Sequence, residues 1–265
     1  MLYFPQLATG AGSQFPVTRR AVRRTVVNAA PDGRMVKLAD AGAASVEWQL
    51  SLAGLTGEEW GAIESVFEGA EGRLKSFTFL DPTDNLLVWS EDLSQVTWVK
   101  DAGLELTAGV ADPAGTTRAT RIGNSGGSAL TIRQTLEIPG WYQYCFSVWT
   151  RSATPGDAWL WRTSAAGLVK KQFKTWGAWN RLAYSTKVSD TSETVSFGLE
   201  LGAAGVVEVF GLQLEAQRGA SKYKKTASRG GVWREAYFQD DALRLTSAGP
   251  GEHSGVVRIR AGQQG

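Results

Sequence analysis

The stretch FTFLDPTD, residues 77–84, is followed directly by NLLVWSEDL, residues 85–93. The first string reads as an apolar strand that runs into a proline turn, and the second opens a new pattern. That pattern ends near GLQLE at residues 211–215 and SKY at residues 221–223. The C-terminal segment after it is too short to bury a core alone. The sequence therefore predicts a discontinuous domain, residues 1–84 and 228–265, interrupted by an inserted domain, residues 85–227.

The outer domain is predicted to contain strands and one helix. Residues 45–52 alternate apolar and polar side chains, which is typical of a half-buried strand. Thr56 and Glu59 have capping-box spacing, and a helix is expected over residues 56–68 with Trp60, Ile63 and Phe67 on its buried face. Turn residues predict two hairpins. The first joins strands 25–28 and 35–38, and the second joins strands 242–246 and 255–260.

The inserted domain is predicted to be an antiparallel β-sandwich of the jelly-roll type. Short apolar runs recur between Gly and Pro turns at the spacing expected for such a fold. The eight predicted strands are residues 105–107, 129–135, 142–150, 158–163, 170–175, 180–185, 194–201 and 206–214. The expected fold class is therefore mainly β: a discontinuous β domain with one α-helix, plus an inserted antiparallel β-sandwich (jelly roll).

Charge argues against a nucleic-acid partner. The chain of 265 residues has a net charge of +2, and 20% of its residues are charged. Residues 85–227 hold 15 Lys and Arg against 12 Asp and Glu, so neither domain has the one-signed field that phosphate binding needs. No window approaches the roughly 20 apolar residues of a membrane span, and no secretion signal is recognised at the N-terminus. We expect neither membrane insertion nor Sec-dependent export.

The residues that commonly carry catalysis are scarce or badly placed. Cys145 is the single cysteine, lies in a predicted strand and is expected to be a buried inert thiol. His253 is the single histidine and lies in a turn. Asp240 and Asp241 would point to opposite faces of a strand and make a poor acid–base pair. We therefore expect no catalytic residues, no metal site and no cofactor, and we predict that the chain is not an enzyme.

The strongest candidate site is a group of aromatic and basic residues in the inserted domain. Tryptophan rings stack on the apolar faces of sugars, and arginines pair with sugar hydroxyls. Trp159 and Trp161 alternate around Leu160 and should share one strand face. For any single tryptophan, burial in the core is the competing interpretation. The candidate carbohydrate-binding residues are Trp149, Trp159, Trp161, Arg162, Trp176, Trp179 and Arg181.

A second candidate surface is the run RRAVRR at residues 19–24. A solvated strand face is the simplest interpretation of such a run. The alternative is a contact between subunits, in which guanidinium groups reach the carboxylates of a neighbour. The candidate oligomer-interface residues are Arg19, Arg20, Arg23 and Arg24.

Several strings together resemble a known family. FPQLATG at 4–10, FPVTRR at 15–20, the helix that opens with Gly-Leu-Thr, and FTFLDP at 77–82 resemble the distal tail (baseplate ring) proteins of bacteriophages and prophages. NLLVWSED at 85–92, ADPAGT at 111–116, FGLQLE at 210–215 and SKY at 221–223 resemble the carbohydrate-binding-like jelly rolls of phage tail proteins. DDAL at 240–243 and GPGEHS at 249–254 resemble the segment that returns to the ring domain.

The resemblance implies a structural role in the virion. The outer domain would be a belt-like β domain that forms a homo-oligomeric ring, expected to be a hexamer, at the distal end of the tail tube. It would contact the tail tube protein and the tail hub or tip proteins. The jelly roll would project outward and bind host-surface polysaccharide. The protein would be made in the host cytoplasm and act at the virion tail tip. Two alternatives stay open: a purely structural jelly roll that contacts neighbouring tail proteins, and a glycan-active enzyme.

Overall fold

The chain is mainly β, as the sequence predicts. The computed structural model describes residues 1–262, with 51% strand and 5% helix. The described elements, in chain order, are β1 (Val17–Ala29), β2 (Met35–Leu55), α1 (Gly57–Gly69), β3 (Phe77–Leu80), β4 (Val99–Lys100), β5 (Leu104–Val110), β6 (Ala119–Asn124), β7 (Leu130–Leu136), β8 (Tyr144–Arg151), β9 (Gly156–Ser164), β10 (Gly167–Thr175), β11 (Asn180–Thr186), β12 (Val195–Leu201), β13 (Val206–Glu215), β14 (Val232–Phe238), β15 (Leu245–Gly249) and β16 (Glu252–Gly262).

The described chain divides into two compact units. Unit 1 comprises Met1–Ala8, Gly12–Thr83 and Trp233–Gly265, and unit 2 comprises Thr9–Ala11 and Asp84–Val232. The sequence placed the boundaries after residues 84 and 227. The structure differs by giving Asp84, residues 228–232 and the short segment Thr9–Ala11 to unit 2. Among the described residues, no helix is both long and apolar enough to cross a membrane.

Unit 1 is built on a six-stranded sheet with strand order β1-β2-β16-β14-β3, in which β15 pairs with β16. The C-terminal strand β16 lies inside this sheet and pairs with β2 from His253↔Leu55 to Gly262↔Ser45. The N-terminal part of the sheet would expose a row of unpaired backbone groups without it. This placement explains physically why two distant segments form one unit.

The helix α1 is positioned by its cap and by its apolar face. The Thr56 side chain accepts a hydrogen bond from Glu59 N, and the Glu59 carboxylate accepts one from Thr56 N, which completes the predicted capping box. Trp60, Ile63 and Val66 are buried. The Trp60 ring lies directly over Gly255 of β16, where a Cβ would come within 2.7 Å of it. The helix is thus fixed onto the sheet by a large ring that rests on a glycine.

Unit 2 is an antiparallel β-sandwich, as predicted. Its two five-stranded sheets have the orders β10-β9-β12-β7-β4 and β11-β8-β13-β6-β5. Aromatic rings join the sheets in the core, where Phe197 of β12 meets Tyr144 and Phe146 of β8 at centroid distances of 5.4 and 6.2 Å. Cys145 is buried, and burial raises the pKa of its thiol to about 11, so the prediction of an inert thiol fits this structure.

All eight strands predicted for the inserted domain are present, as β5 and β7–β13. The sequence did not predict β6, because two of its inward side chains are polar. Asn124 is buried there, and its amide donates to the carbonyls of Ser128, Leu201 and Gly202. In unit 1 the strand predicted over 242–246 begins only at Leu245, where β15 first pairs with β16.

The two ends of unit 2 are held together by a buried asparagine. Asn85 is fully buried, and its amide nitrogen donates to the carbonyls of Leu212 and Lys224. Its side-chain oxygen accepts from the backbone N–H groups of Leu87 and Leu214. A buried amide is stable only when its hydrogen-bonding capacity is used. Asn85 therefore specifies how the segment that opens unit 2 lies on β13.

Candidate functional site

The strand β9 separates its side chains between the core and the surface. Ala158 and Leu160 are fully buried between the sheets, and Trp159 and Trp161 point to the outward face, as the alternation predicts. We call this outward face of the β10-β9-β12-β7-β4 sheet the tryptophan face. It also carries the side chains that are cross-strand partners of the two tryptophans, which are Lys170 and Gln172 of β10 and Glu200 of β12.

The two tryptophans have different environments. Trp161 is only 4% exposed, because its ring lies on the backbone of β12 at Gly198. A Cβ at Gly198 would come within 2.5 Å of the Trp161 ring and 2.6 Å of the Ile132 carbonyl oxygen. Trp161 is therefore part of the floor of the face. Trp159 is only partly buried, so part of its ring reaches solvent.

Polar groups surround Trp159 on both sides. The Lys170 ammonium lies 5.4 Å from the centroid of the Trp159 ring and 2.7 Å from Glu200 Oε1. Lys174 donates to Asp157 at 2.7 Å, and this hydrogen bond lowers the pKa of the Asp157 carboxyl group. Both signs of charge and an apolar ring thus lie next to one another.

The tryptophan face continues across β12 and β7 with smaller polar groups. The hydroxyls of Thr135 and Ser196 are 2.7 Å apart. Arg133 donates to Asp101 at 3.1 Å. Hydroxyl, carboxylate and guanidinium groups can donate to or accept from a polar ligand. The face therefore combines one apolar platform with a field of hydrogen-bonding groups.

The opposite sheet contains Trp149 and Arg181, and its outward face is covered by the chain itself. We call the outward face of the β11-β8-β13-β6-β5 sheet the covered face. Arg181 is the cross-strand partner of Trp149, and its guanidinium donates to Ser147 Oγ and to the Ser221 carbonyl. Glu215 accepts from Ser221 N and from Lys224 Nζ, and its side chain is 3% exposed. The segment 216–225 therefore lies over this face.

The segment 216–225 is fixed by a tyrosine that rests on a glycine. Gly211 has a φ of +64°. The Tyr223 ring packs against it so closely that a Cβ on Gly211 would come within 3.0 Å of the ring. The Tyr223 and Phe210 rings have centroids 5.2 Å apart. Lys224 and Lys225 form ion pairs with Glu215 and Glu91, both at 2.7 Å. These contacts close the end of unit 2.

The structure does not bring the predicted tryptophans together. Trp159 and Trp161 lie on one outward face and Trp149 on the other, whereas Trp176 and Trp179 flank the β10–β11 connection. Trp176 is 52% exposed. Trp179 is partly buried, with the Arg151 guanidinium 4.9 Å from its ring centroid. The predicted residues therefore do not all share one face of the sandwich, and their role in binding remains a prediction.

Arg162 must be removed from the candidate set. It alternates with Trp161 and is 1% exposed inside the sandwich, where it donates to the Gly140 carbonyl at 2.7 Å. It lies 3.5 Å from Asp190, whose side chain is also buried. Burial tends to raise the pKa of Asp190, but hydrogen bonds from Ser164 and Ser192 hold it at about 2. Arg162 is a core residue and cannot contact a surface ligand here.

The arginines at residues 19–24 lie on β1 in unit 1. Arg19 pairs with Asp81 at 3.1 Å, Arg20 pairs with Glu47, and Arg24 lies 3.6 Å from Asp40. Arg23 is exposed. Three of the four guanidinium groups therefore have a carboxylate partner within their own unit. As possible interface residues they remain predictions.

A cleft at the edge of unit 2 was not predicted from the sequence. It has a volume of about 450 Å³ and is bordered by Leu93, Leu106 and Arg118 among others. Glu91 on its rim accepts from Lys225 and Arg118, and Arg118 also donates to the buried Asp112. Burial raises the pKa of Asp112, but hydrogen bonds from Thr116, Ala114 N and Arg118 outweigh it and bring the pKa to about 2.

Within residues 1–262, His, Cys, Asp and Glu side chains form no group of three or more that could hold a metal ion. The Asp92 carboxylate accepts hydrogen bonds from Ser94 and Gln95 in its own turn. The hydrogen bond from the Ser94 hydroxyl is the main cause of its lowered pKa.

Comparison with known proteins gives structural neighbours only. No protein-family model and no curated protein matches the sequence. The enzymatically active domain of bacteriophage CBA120 tailspike protein 4 is 13% identical, with a TM-score of 0.40. That match covers 52% of this chain and 22% of the tailspike chain, so the present chain spans less than a quarter of its length.

Two further neighbours are carbohydrate-binding modules. The CBM22-1 xylan-binding domain of Paenibacillus barcinonensis Xyn10C is 13% identical, with a TM-score of 0.42, over 53% of this chain and 99% of that chain. TmCBM61, solved with β-1,4-galactotriose, is 12% identical, with a TM-score of 0.38, over 49% of this chain and 97% of that chain. At these values the likeness assigns neither a family nor a ligand to this chain.

Proposed function

We propose that this protein is a structural component of a phage tail tip that also adheres to host-surface polysaccharide. In this proposal unit 1 assembles into a ring, a hexamer, at the distal end of the tail tube, beside the tube and hub proteins. Unit 2 contributes the tryptophan face as the surface that binds the polysaccharide. The protein is made in the host cytoplasm and acts in the virion. The tail-tip part is supported by the sequence strings that resemble distal tail proteins.

The observation that supports adhesion is the environment of Trp159. An indole ring provides a flat apolar surface for the C–H face of a sugar, and such rings suit sites where one side is apolar and the other wet. Lys170 and Gln172 adjoin the ring, are exposed and can exchange hydrogen bonds with sugar hydroxyls, and Glu200 holds the Lys170 ammonium in place. One platform with a few polar groups gives weak binding. Ring assembly would multiply that binding through avidity.

The lowered pKa of a carboxyl group on this face supports a role without catalysis. Glycan hydrolysis needs one carboxyl group with a raised pKa to act as general acid beside an ionised one. Asp157, on the tryptophan face, has a lowered pKa through its hydrogen bond from Lys174. We therefore propose that the chain is not a glycan-active enzyme, and measured depolymerase activity would contradict this.

The test is binding of the full-length protein to a glycan array and to whole host cells. Trp159→Ala should reduce binding at least tenfold, because it removes the apolar platform. Gln172→Ala should reduce it less. Lys171→Ala is the matched control, since Lys171 neighbours Gln172 on β10 but is the partner of the buried Leu160 and so points to the other side of the strand. Wild-type protein that binds neither glycans nor cells would refute adhesion.

A purely structural jelly roll is the second candidate function. It is favoured by the burial of Trp161 and by the coverage of the outward face that carries Trp149, because these rings stabilise the sandwich itself. In that case the tryptophan face would contact neighbouring tail proteins. Trp159→Ala would then weaken incorporation into tails and leave glycan binding of the free protein at background.

A further inference from the structure

The first two strands of unit 1 extend into a two-stranded ribbon. After a register shift between Val22 and Arg24, β1 and β2 stay paired from Arg24↔Asp40 to Ala29↔Met35. We call residues 23–40 the arm. Its turn contains Gly33 at a φ of +82°, a backbone conformation that favours glycine, and Arg34 N donates to the Asp32 carboxylate there. The arm is thus a regular hairpin.

Both faces of the arm expose apolar side chains. Met35, Val36 and Leu38 are each more than half exposed, and Val27 is half exposed. Cross-strand pairing puts Leu38 opposite Val26 on one face and Met35 opposite Ala29 on the other. Isolated two-stranded hairpins are marginal in water, and contiguous exposed apolar surface usually marks a contact site. The arm therefore needs a partner surface.

The arm is also basic, whereas the helix of the same unit is acidic. The arm carries Arg23, Arg24, Arg34 and Lys37 against Asp32 and Asp40. The helix α1, with the sequence GEEWGAIESVFEG, carries four glutamates and no lysine or arginine. These opposite charges lie on separate surfaces of one unit, so two copies of the chain can bring them together.

Two of the helix glutamates are available for such a contact. Glu59 accepts from Ala8 N and Thr56 N, and Glu64 accepts from the Trp60 indole at 2.6 Å. Glu58 and Glu68 are exposed, and neither makes an ion pair within the described part of the chain. The small residues Gly61 and Ser65 lie between them on the side away from the buried Trp60, Ile63 and Val66. We call this strip the outer face of the helix.

We propose that the arm of one copy docks along the outer face of the helix in a second copy. From Arg24 to Ala29 the arm extends about 17 Å at about 3.4 Å per residue. From Glu58 to Glu68 the helix extends about 15 Å at 1.5 Å per residue. Arg24 and Arg34, near the two ends of the arm, thus match Glu58 and Glu68, and the apolar side chains cover Gly61 and Ser65.

The contact has a consequence for assembly. Arm and helix are different surfaces, so each copy gives its arm to one neighbour and receives an arm from another. Such head-to-tail contacts form closed rings when the rotation between copies closes. The inference rests on the ring of the proposed function and names the surfaces that would form it.

The experiment uses two charge-reversed variants of the full-length protein. The arm variant combines Arg24→Glu with Arg34→Glu, and the helix variant combines Glu58→Lys with Glu68→Lys. Masses are measured by light scattering, and circular dichroism with thermal melts checks folding. Each variant alone should have the mass of one chain, because like charges then face each other. The control, Lys171→Glu with Arg229→Glu, reverses two exposed cations of unit 2 and should keep the wild-type mass.

Mixing the arm and helix variants is the decisive step. In an alternating ring every contact pairs opposite charges, so an equimolar mixture should recover the wild-type oligomer. If both variants alone keep the oligomeric mass, the arm contact is refuted and the ring proposal stands. If the mixture stays monomeric, the helix is not the receiving surface. A wild-type chain that is monomeric at every concentration refutes the ring and the arm contact together.

Discussion

The two outward faces of the sandwich contain similar residues that differ in their exposure to solvent. Each has a lysine–glutamate pair with an N–O distance of 2.7 Å, Lys170–Glu200 on the tryptophan face and Lys224–Glu215 on the covered face. The lysine and glutamate side chains of the first pair are 40% and 11% exposed, and those of the second pair are 25% and 3% exposed. The segment 216–225 makes this difference. Residue type alone therefore does not distinguish a binding surface from an internal contact.

The largest expected effect separates the two tryptophans of β9. Trp161→Ala should lower the free energy of unfolding by about 3–5 kcal/mol, because removing a ring that is almost completely buried leaves a cavity in its place. Trp159→Ala should cost about 1 kcal/mol, since its ring is accessible to water before the substitution. Urea unfolding followed by tryptophan fluorescence measures both. Equal losses for the two variants would contradict the division into floor and platform.

The second effect compares the two lysine–glutamate pairs. Glu215→Gln should lower the free energy of unfolding by about 2–3 kcal/mol, because it leaves the ammonium of Lys224 without its buried carboxylate. Glu200→Gln should cost below about 1 kcal/mol, because its partner Lys170 is solvated. The same urea titration gives both values. A larger loss for Glu200→Gln than for Glu215→Gln would reverse our assignment of the covered and open faces.

These contrasts show what could be predicted from the sequence. Alternation in β9 correctly placed Trp159 and Trp161 on one face, and the same period of two puts Arg162 on the side of Leu160. The arginine was nevertheless assigned to the candidate site, because it stands next to Trp161 in the sequence and arginines pair with sugar hydroxyls. Its partners, Asp190 and the Gly140 carbonyl, lie more than 20 residues away in the chain. No local pattern reveals such a pairing.

The fold was easier to predict than the site for a related reason. Capping boxes, hairpin turns and strand periods are local, and they predicted α1 and eight strands of the sandwich. Which outward face stays accessible depends on the path of residues 216–225 across β13 and β8. That path is fixed by tertiary contacts such as Tyr223 on Gly211. Trp149 and Arg181 were assigned to the candidate site without that information.

The third effect is a pH dependence specific to the covered face. Burial raises the pKa of Glu215, but hydrogen bonds from Lys224 and Ser221 outweigh this effect, so the pKa in the folded protein is below its ordinary value of 4.5. Its contribution to stability is complete above that value and is lost as the pH falls through the lower, folded-state pKa. The difference in unfolding free energy between wild type and Glu215→Gln should therefore shrink as the pH falls below about 5.

The measurement is chemical unfolding of both proteins at intervals from pH 7 to pH 3. The Asp112→Asn variant serves as a comparison, since Asp112 also has a lowered pKa, of about 2, but lies in the turn before β6. The difference in unfolding free energy between Asp112→Asn and wild type should persist to lower pH than the Glu215→Gln difference, as long as the protein stays folded. If the difference in unfolding free energy between wild type and Glu215→Gln is constant from pH 7 to pH 3, the ionised Glu215 carboxylate does not stabilise the covered face.

The smallest expected effect concerns Trp176, in the β10–β11 connection. Its side chain is 52% exposed, so Trp176→Ala should change the free energy of unfolding by less than about 0.5 kcal/mol. If the tryptophan face alone binds polysaccharide, this variant should keep wild-type affinity for a glycan that Trp159→Ala fails to bind. Titration of both variants with the same glycan decides the matter. A joint loss of affinity would extend the binding surface from the sheet to the loop, because exposed indole rings at both places would then contact one polysaccharide chain.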